Sequence, residues 1–83
     1  MQNENLTEVF EYLKELKDDN TISKNVREKI SQIMNVLNES SELSLRINKV
    51  MQNLDEISED VSLPSYTRTQ IWNIVTMLES INI

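Results

Sequence analysis

Residues 13–39 align with residues 54–80 at a constant offset of 41 and without a gap, so the chain is an internal duplication. LKELKDDNTISKNVREKISQIMNVLNE stands over LDEISEDVSLPSYTRTQIWNIVTMLES, and seven of the 27 positions are identical: Leu13/Leu54, Glu15/Glu56, Asp19/Asp60, Arg27/Arg68, Ile30/Ile71, Ile33/Ile74 and Leu37/Leu78. Conservative pairs such as Leu16/Ile57, Ile22/Leu63, Met34/Val75 and Val36/Met77 keep the apolar positions in register as well. A period near 40 with helical spacing inside each copy denotes two helix–turn–helix units, neither of which can bury its apolar stripe alone. The two copies must therefore pack on each other.

Apolar residues at three- and four-residue steps place the helices. The first is expected over roughly residues 4–18 (Leu6, Val9, Phe10, Leu13, Leu16), the second over about 23–38 (Val26, Ile30, Ile33, Leu37). The third spans about 42–58 (Leu43, Ile47, Val50, Met51, Leu54, Ile57), and the fourth runs from Pro64 to about Ile81 (Thr67, Ile71, Ile74, Val75, Leu78). Asn20 is the candidate for a left-handed residue closing the first helix, a place glycine usually fills. Pro64 suits the first helical position, where its missing N–H costs nothing. Ile22 and Leu63 are placed to plug the end of the core, and Val36 and Met77 to widen it. Short connections force antiparallel neighbours. The expected fold is all-α: one domain over residues 1–83, an up-and-down antiparallel four-helix bundle of two duplicated hairpins, about 4–38 and about 42–81.

Composition narrows the chemistry. The chain has no cysteine, histidine or glycine. That removes disulfides, thiolate and imidazole ligands, and the glycine-rich phosphate loops. No cofactor is expected. Apolar runs never exceed two residues, as at Val9-Phe10, and acids crowd the first dozen residues, so a soluble, cytoplasmic protein without membrane attachment is expected. The net charge of −6 disfavours nucleic acid, even though Lys24, Arg27, Lys29, Arg46 and Lys49 form a loose basic set.

Two polar constellations carry weight. Asp19 and Arg27 recur as Asp60 and Arg68 at the same spacing of eight, each pair bridging a turn to the helix behind it. Structurally, the aspartate caps its turn and the arginine ties the loop down. Alternatively Asp18, Asp19, Glu59 and Asp60 converge at one end of the bundle as an all-oxygen site for a divalent ion, in an ion-binding protein or a small metal-dependent hydrolase. Arg27 and Arg68 would compete with the cation there. The second feature is SLPSYTRTQIWNIV, residues 62–75, which holds the only proline and the only tryptophan. Ser65, Arg68, Trp72, Val75 and Glu79 share a stripe beside the core line, and Arg68 and Trp72 at i and i+4 are spaced for stacking. An aromatic at the edge of a core anchors many interfaces; its structural alternative is simply to cover the joint between two helices. Leu45, pointing away from its helix's inner line, is a weaker candidate for contact.

LSLRINKVMQNLDEISEDVSLPSYTRTQIWNIVTMLES resembles the hallmark region of uncharacterised protein family 0147, and DDNTISKNVR resembles that family's first turn. The resemblance spans nearly the whole chain and implies an all-helical bundle of archaeal source with no established activity. Ser23 departs from it, standing where a proline matching Pro64 is expected. No catalytic or small-molecule site emerges from the residues. The expectation is a non-enzymatic interaction or oligomerisation module meeting a protein partner or its own copy through Arg68, Trp72, Tyr66 and Ser65.

Overall fold

The computed structural model describes residues 4–81 and forms four helices: α1 (Glu4–Lys17), α2 (Lys24–Leu37), α3 (Leu43–Ser58) and α4 (Ser65–Ile81). Every boundary falls within one residue of that expected from the apolar spacing. Helix α1 packs on α2, α2 on α3, α3 on α4, and α4 returns to α1, while the backbones of the diagonal pairs stay more than 8 Å apart from Cα to Cα among the described residues. The result is a closed four-helix ring measuring 37 × 20 × 19 Å.

The duplication is legible in the core. Leu13/Leu54, Ile30/Ile71, Ile33/Ile74 and Leu37/Leu78 are all buried. The offset of 41 continues upstream of the aligned segment through Leu6/Ile47, Val9/Val50 and Phe10/Met51, and both valines are fully buried. Ile22 and Leu63 are buried at the end of the bundle where the α1–α2 and α3–α4 turns lie. Val36 is buried and Met77 packs against the cluster, whereas Leu45 stands exposed. Thr67 is the single polar member among the buried residues described and occupies the place of Val26.

The turns differ from expectation in two details. No described residue has a positive φ, so Asn20 is not left-handed. The reversal is made instead by Asp19, whose Oδ1 accepts hydrogen bonds from the Thr21 N–H at 2.9 Å and the Thr21 hydroxyl at 2.7 Å. Asp60 repeats this with Ser62 at the same two distances. An aspartate bonding two residues ahead forms a turn without left-handed backbone, which is how the turns after α1 and α3 reverse without glycine. The second detail concerns Pro64. Its carbonyl accepts the Arg68 N–H at 3.0 Å, just as the Ser23 carbonyl accepts that of Arg27, so Pro64 is the N-cap and not the first helical residue. Ser23 adds a side-chain cap that proline cannot make: its Oγ accepts the Val26 N–H at 3.3 Å.

Candidate interaction face on the fourth helix

Each of the chain's three arginines clasps a connection between helices through backbone carbonyls. Arg27 Nε donates to the Ile22 carbonyl at 3.1 Å. Arg46 donates from Nε to Ser41 and from Nη1 to Leu37, across the α2–α3 turn. Arg68 donates from Nε to Ser58 at 2.9 Å and from Nη2 to Asp60 at 3.0 Å. The last carbonyls of a helix lack intrahelical partners, and a planar cationic fork satisfies them while complementing the negative end of the helix dipole. The duplicated Asp…Arg spacing is therefore a turn clamp in which arginine binds main chain and aspartate binds Thr21 or Ser62. These bonds engage Arg27, Arg46 and Arg68 at the turns, leaving lysines to dominate the remaining basic set.

Among the described residues no three carboxylates come together in a way that could hold a metal, so Asp18, Asp19, Glu59 and Asp60 do not share the coordination sphere that the ion-binding alternative required. The reason is local: the carboxylates of Asp19 and Asp60 are each turned into their own turn. Hydrogen bonds from Thr21 hold the Asp19 carboxyl below the usual carboxylate range, with Arg27 adding a smaller effect. Those from Ser62 do the same for Asp60, assisted by the charges of Lys29 and Arg68.

Helix α4 is the least charged surface element. Only Arg68 and Glu79 of its 17 residues are charged, against six of 14 in α1. Its outer face presents Trp72, 54% exposed, and Tyr66, 72% exposed, among threonines, serines and Asn73. Trp72 follows the fully buried Ile71, a contrast that the 100° step of the helix produces between neighbours. The residues expected to make contacts divide between the flanks of this helix. Arg68 turns toward α3, where its carbonyl partners lie, whereas Tyr66 lies on the α1 side, with Ser65 and Trp72 on the exposed face between.

On the α1 side a groove of about 490 Å³ is walled by Tyr12, Tyr66, Gln70, Asn73 and Met77, with no charged side chain along it among the described residues. Gln70 Nε2 donates to the Tyr66 hydroxyl at 3.4 Å, and Gln70 Oε1 is buried without a hydrogen-bond partner. The duplication provides a control. The corresponding groove between α2 and α3 holds about 120 Å³ and is lined by Lys29, Gln32, Asn53, Glu56 and Ile57. At the offset of 41, Asn53 stands for Tyr12, Lys29 for Gln70 and Gln32 for Asn73. The two grooves have diverged, one charged and small, the other uncharged, aromatic and open. Tyr12, 46% exposed, is not among the residues that the sequence singles out; the one signal there is that the offset of 41 sets this aromatic against Asn53 of the other repeat.

A family model described as Uncharacterised protein family (UPF0147) matches residues 1–81. The chain is similar to the UPF0147 protein of the archaeon Methanothermobacter thermautotrophicus, with 38% identity over 82 residues, covering 98% of this chain and 80% of the relative. It is similar also to the UPF0147 protein MJ1419 of Methanocaldococcus jannaschii, 42% identical over 72 residues, covering 83% and 75% respectively. Among solved structures it resembles the crystal structure of unknown function protein MMP1188, with a TM-score of 0.88 and 41% identity over 95% of this chain and 91% of that one.

Proposed function

The chain belongs to the uncharacterised protein family UPF0147, and we propose that it serves as a small non-enzymatic interaction module whose contact surface is the exposed face of α4. The observation that carries this reading is the exposure of Trp72 and Tyr66 on a helix almost without charge. Interface centres are depleted of charge and enriched in tryptophan and tyrosine, while the rest of this surface is rich in acids and lysines. The bundle beneath is a rigid platform, since the neighbours Ile71 and Ile74 are locked in the core. No helix among the described residues is long and apolar enough to cross a membrane. The proposal includes a cytoplasmic setting, where a chain without cysteine needs no disulfide staple.

The test is a comparison of two baits. The tagged chain and its Trp72→Ala, Tyr66→Ala double variant are exposed to an extract of the source cells, and retained proteins and nucleic acids are identified. The expected result is a protein, or the untagged chain itself, held by the first bait and lost by the second. Identical retention by both would remove α4 as the contact surface.

A further inference from the structure

We infer that the occupant of the α4 face is a second copy of this chain, joined about a two-fold axis running along α4 so that Trp72 of each copy enters the Tyr12–Tyr66 groove of the other. The inference rests on the reading of α4 as the interaction face and specifies its partner.

Charge leaves this face as the one through which a second copy can approach. Two chains that each carry −6 repel, and they can approach with least cost through a surface that holds almost none of that charge. A basic partner would instead be met by an acidic face, which α4 does not offer. The placement of Trp72 relative to the groove supplies the symmetry. Successive residues of a helix lie 100° apart, so Trp72 and Asn73 stand about 50° to either side of the line between them. Thr69 and Thr76, one turn before and one turn after, fall on that line, and both are exposed. The groove spans Tyr66 to Met77 along α4, centred at the height of Trp72. A two-fold axis along the Thr69–Thr76 line exchanges left for right and keeps height, which sets the tryptophan of each copy over the groove of its partner. This is the self-complementary arrangement that isologous contacts require.

The chemistry of the two halves also matches. The indole is flat, uncharged and apolar except for one N–H donor. The groove has two tyrosine walls, no charge, and in Gln70 Oε1 a buried acceptor without a partner. Rotation of the Gln70 carboxamide about its last torsion would present that acceptor to an entering donor. The pseudo-equivalent site offers neither half: Ser31 stands where Trp72 does, and Asn53 where Tyr12 does. The contact is thus available once per chain, and the two-fold arrangement, in which both indoles and both grooves are used between the same two copies, closes it as a dimer.

Sedimentation of the intact chain from micromolar to millimolar concentration tests the inference, with intrinsic fluorescence as a second readout because Trp72 is its only tryptophan. A dimer is expected, with Trp72 emission shifting to the blue over the same concentration range. Its formation should strengthen as salt screens the repulsion between acidic chains. Trp72→Ala, and Tyr12→Glu or Asn73→Glu in the groove, should each weaken dimerisation by about tenfold or more, with circular dichroism confirming that the helices remain. A mixture of Trp72→Ala with either groove variant should recover association, since one copy supplies the indole and the other an intact groove. A wild type that stays monomeric, a dimer indifferent to these variants, or a mixture no better than its components would each overturn the inference. If a monomeric wild type still loses a captured protein on Trp72→Ala, the second copy is wrong and the α4 interaction face stands.

Discussion

Arg68 reaches Asp60 at its backbone oxygen, 3.0 Å from Nη2, while the Asp60 carboxylate is turned to Ser62. The recurrent acid–arginine pair therefore holds its turn through two separate sets of bonds. Its two copies are also unequal: Arg68 bridges Ser58 and Asp60 across the whole α3–α4 connection, and Arg27 holds Ile22 within its own turn.

That inequality sets the cost of removing the fork. Arg68→Lys keeps the charge and loses the geometry that serves two carbonyls, and should destabilise the protein by about 1–2 kcal/mol. Arg27→Lys should cost less, about 0.5–1 kcal/mol for its one bond. Urea denaturation of both variants checks the order, and an equal or reversed cost would contradict the clamp as described.

Acid sensitivity follows from the two turn aspartates. Their folded pKa values lie below the ordinary 3.8 because Thr21 and Ser62 donate to the charged form. The stabilisation is thus complete above the unfolded value and is lost as pH falls through the folded values. Stability measured against pH should be level from neutrality to about pH 5 and decline below about pH 4. The double variant Asp19→Asn, Asp60→Asn, which keeps an acceptor oxygen in each turn and cannot titrate, should decline less steeply. An unchanged slope would assign the acid loss to other carboxylates.

Ser23 offers a comparison inside one chain. Ser23→Ala removes the Oγ cap on Val26 and should cost about 1 kcal/mol. Ser23→Pro loses the same cap but restricts the unfolded chain, and the backbone at Ser23, with φ −59 and ψ 152, suits proline. It should therefore cost less than alanine. Thermal denaturation separates the two, and a proline variant less stable than the alanine one would mean that the first turn cannot follow the second.

Adjacent residues of α4 should respond in opposite ways. Ile71 is fully buried, and Ile71→Ala should cost about 2–5 kcal/mol. Trp72 is half exposed, and Trp72→Ala should cost the monomer under about 1.5 kcal/mol despite the larger side chain. Equilibrium denaturation at low protein concentration measures both. A comparable loss from each would place Trp72 in the core and end its candidacy as a contact.

A half-chain of residues 1–41 should not fold alone. Helix α1 packs on α4 and α2 on α3 as well as on each other, so the cut exposes two of the four helix contacts of the ring. Circular dichroism at micromolar concentration should show little helix, or helix only with self-association; a monomer that melts cooperatively would refute the mutual dependence of the repeats.

What the sequence determined by itself is the duplicated framework. Helix limits, buried lines such as Ile30–Ile33–Leu37 and their copies at Ile71–Ile74–Leu78, and the plugs Ile22 and Leu63 follow from 3.6-residue periodicity and a fixed offset. Burial of a stripe is a property that each helix carries locally. Tertiary structure decided the rest. Tyr12 and Tyr66 share a groove only because α4 closes on α1, and no periodicity relates two residues 54 positions apart. The atoms that each arginine meets were equally beyond pattern, since Arg27 and Arg68 occupy equivalent positions and bind different carbonyls. Asn20 was misplaced for the same physical reason: a turn closes by whichever hydrogen bonds are nearest, and the Asp19 carboxylate bonding to Thr21 closed it without left-handed backbone.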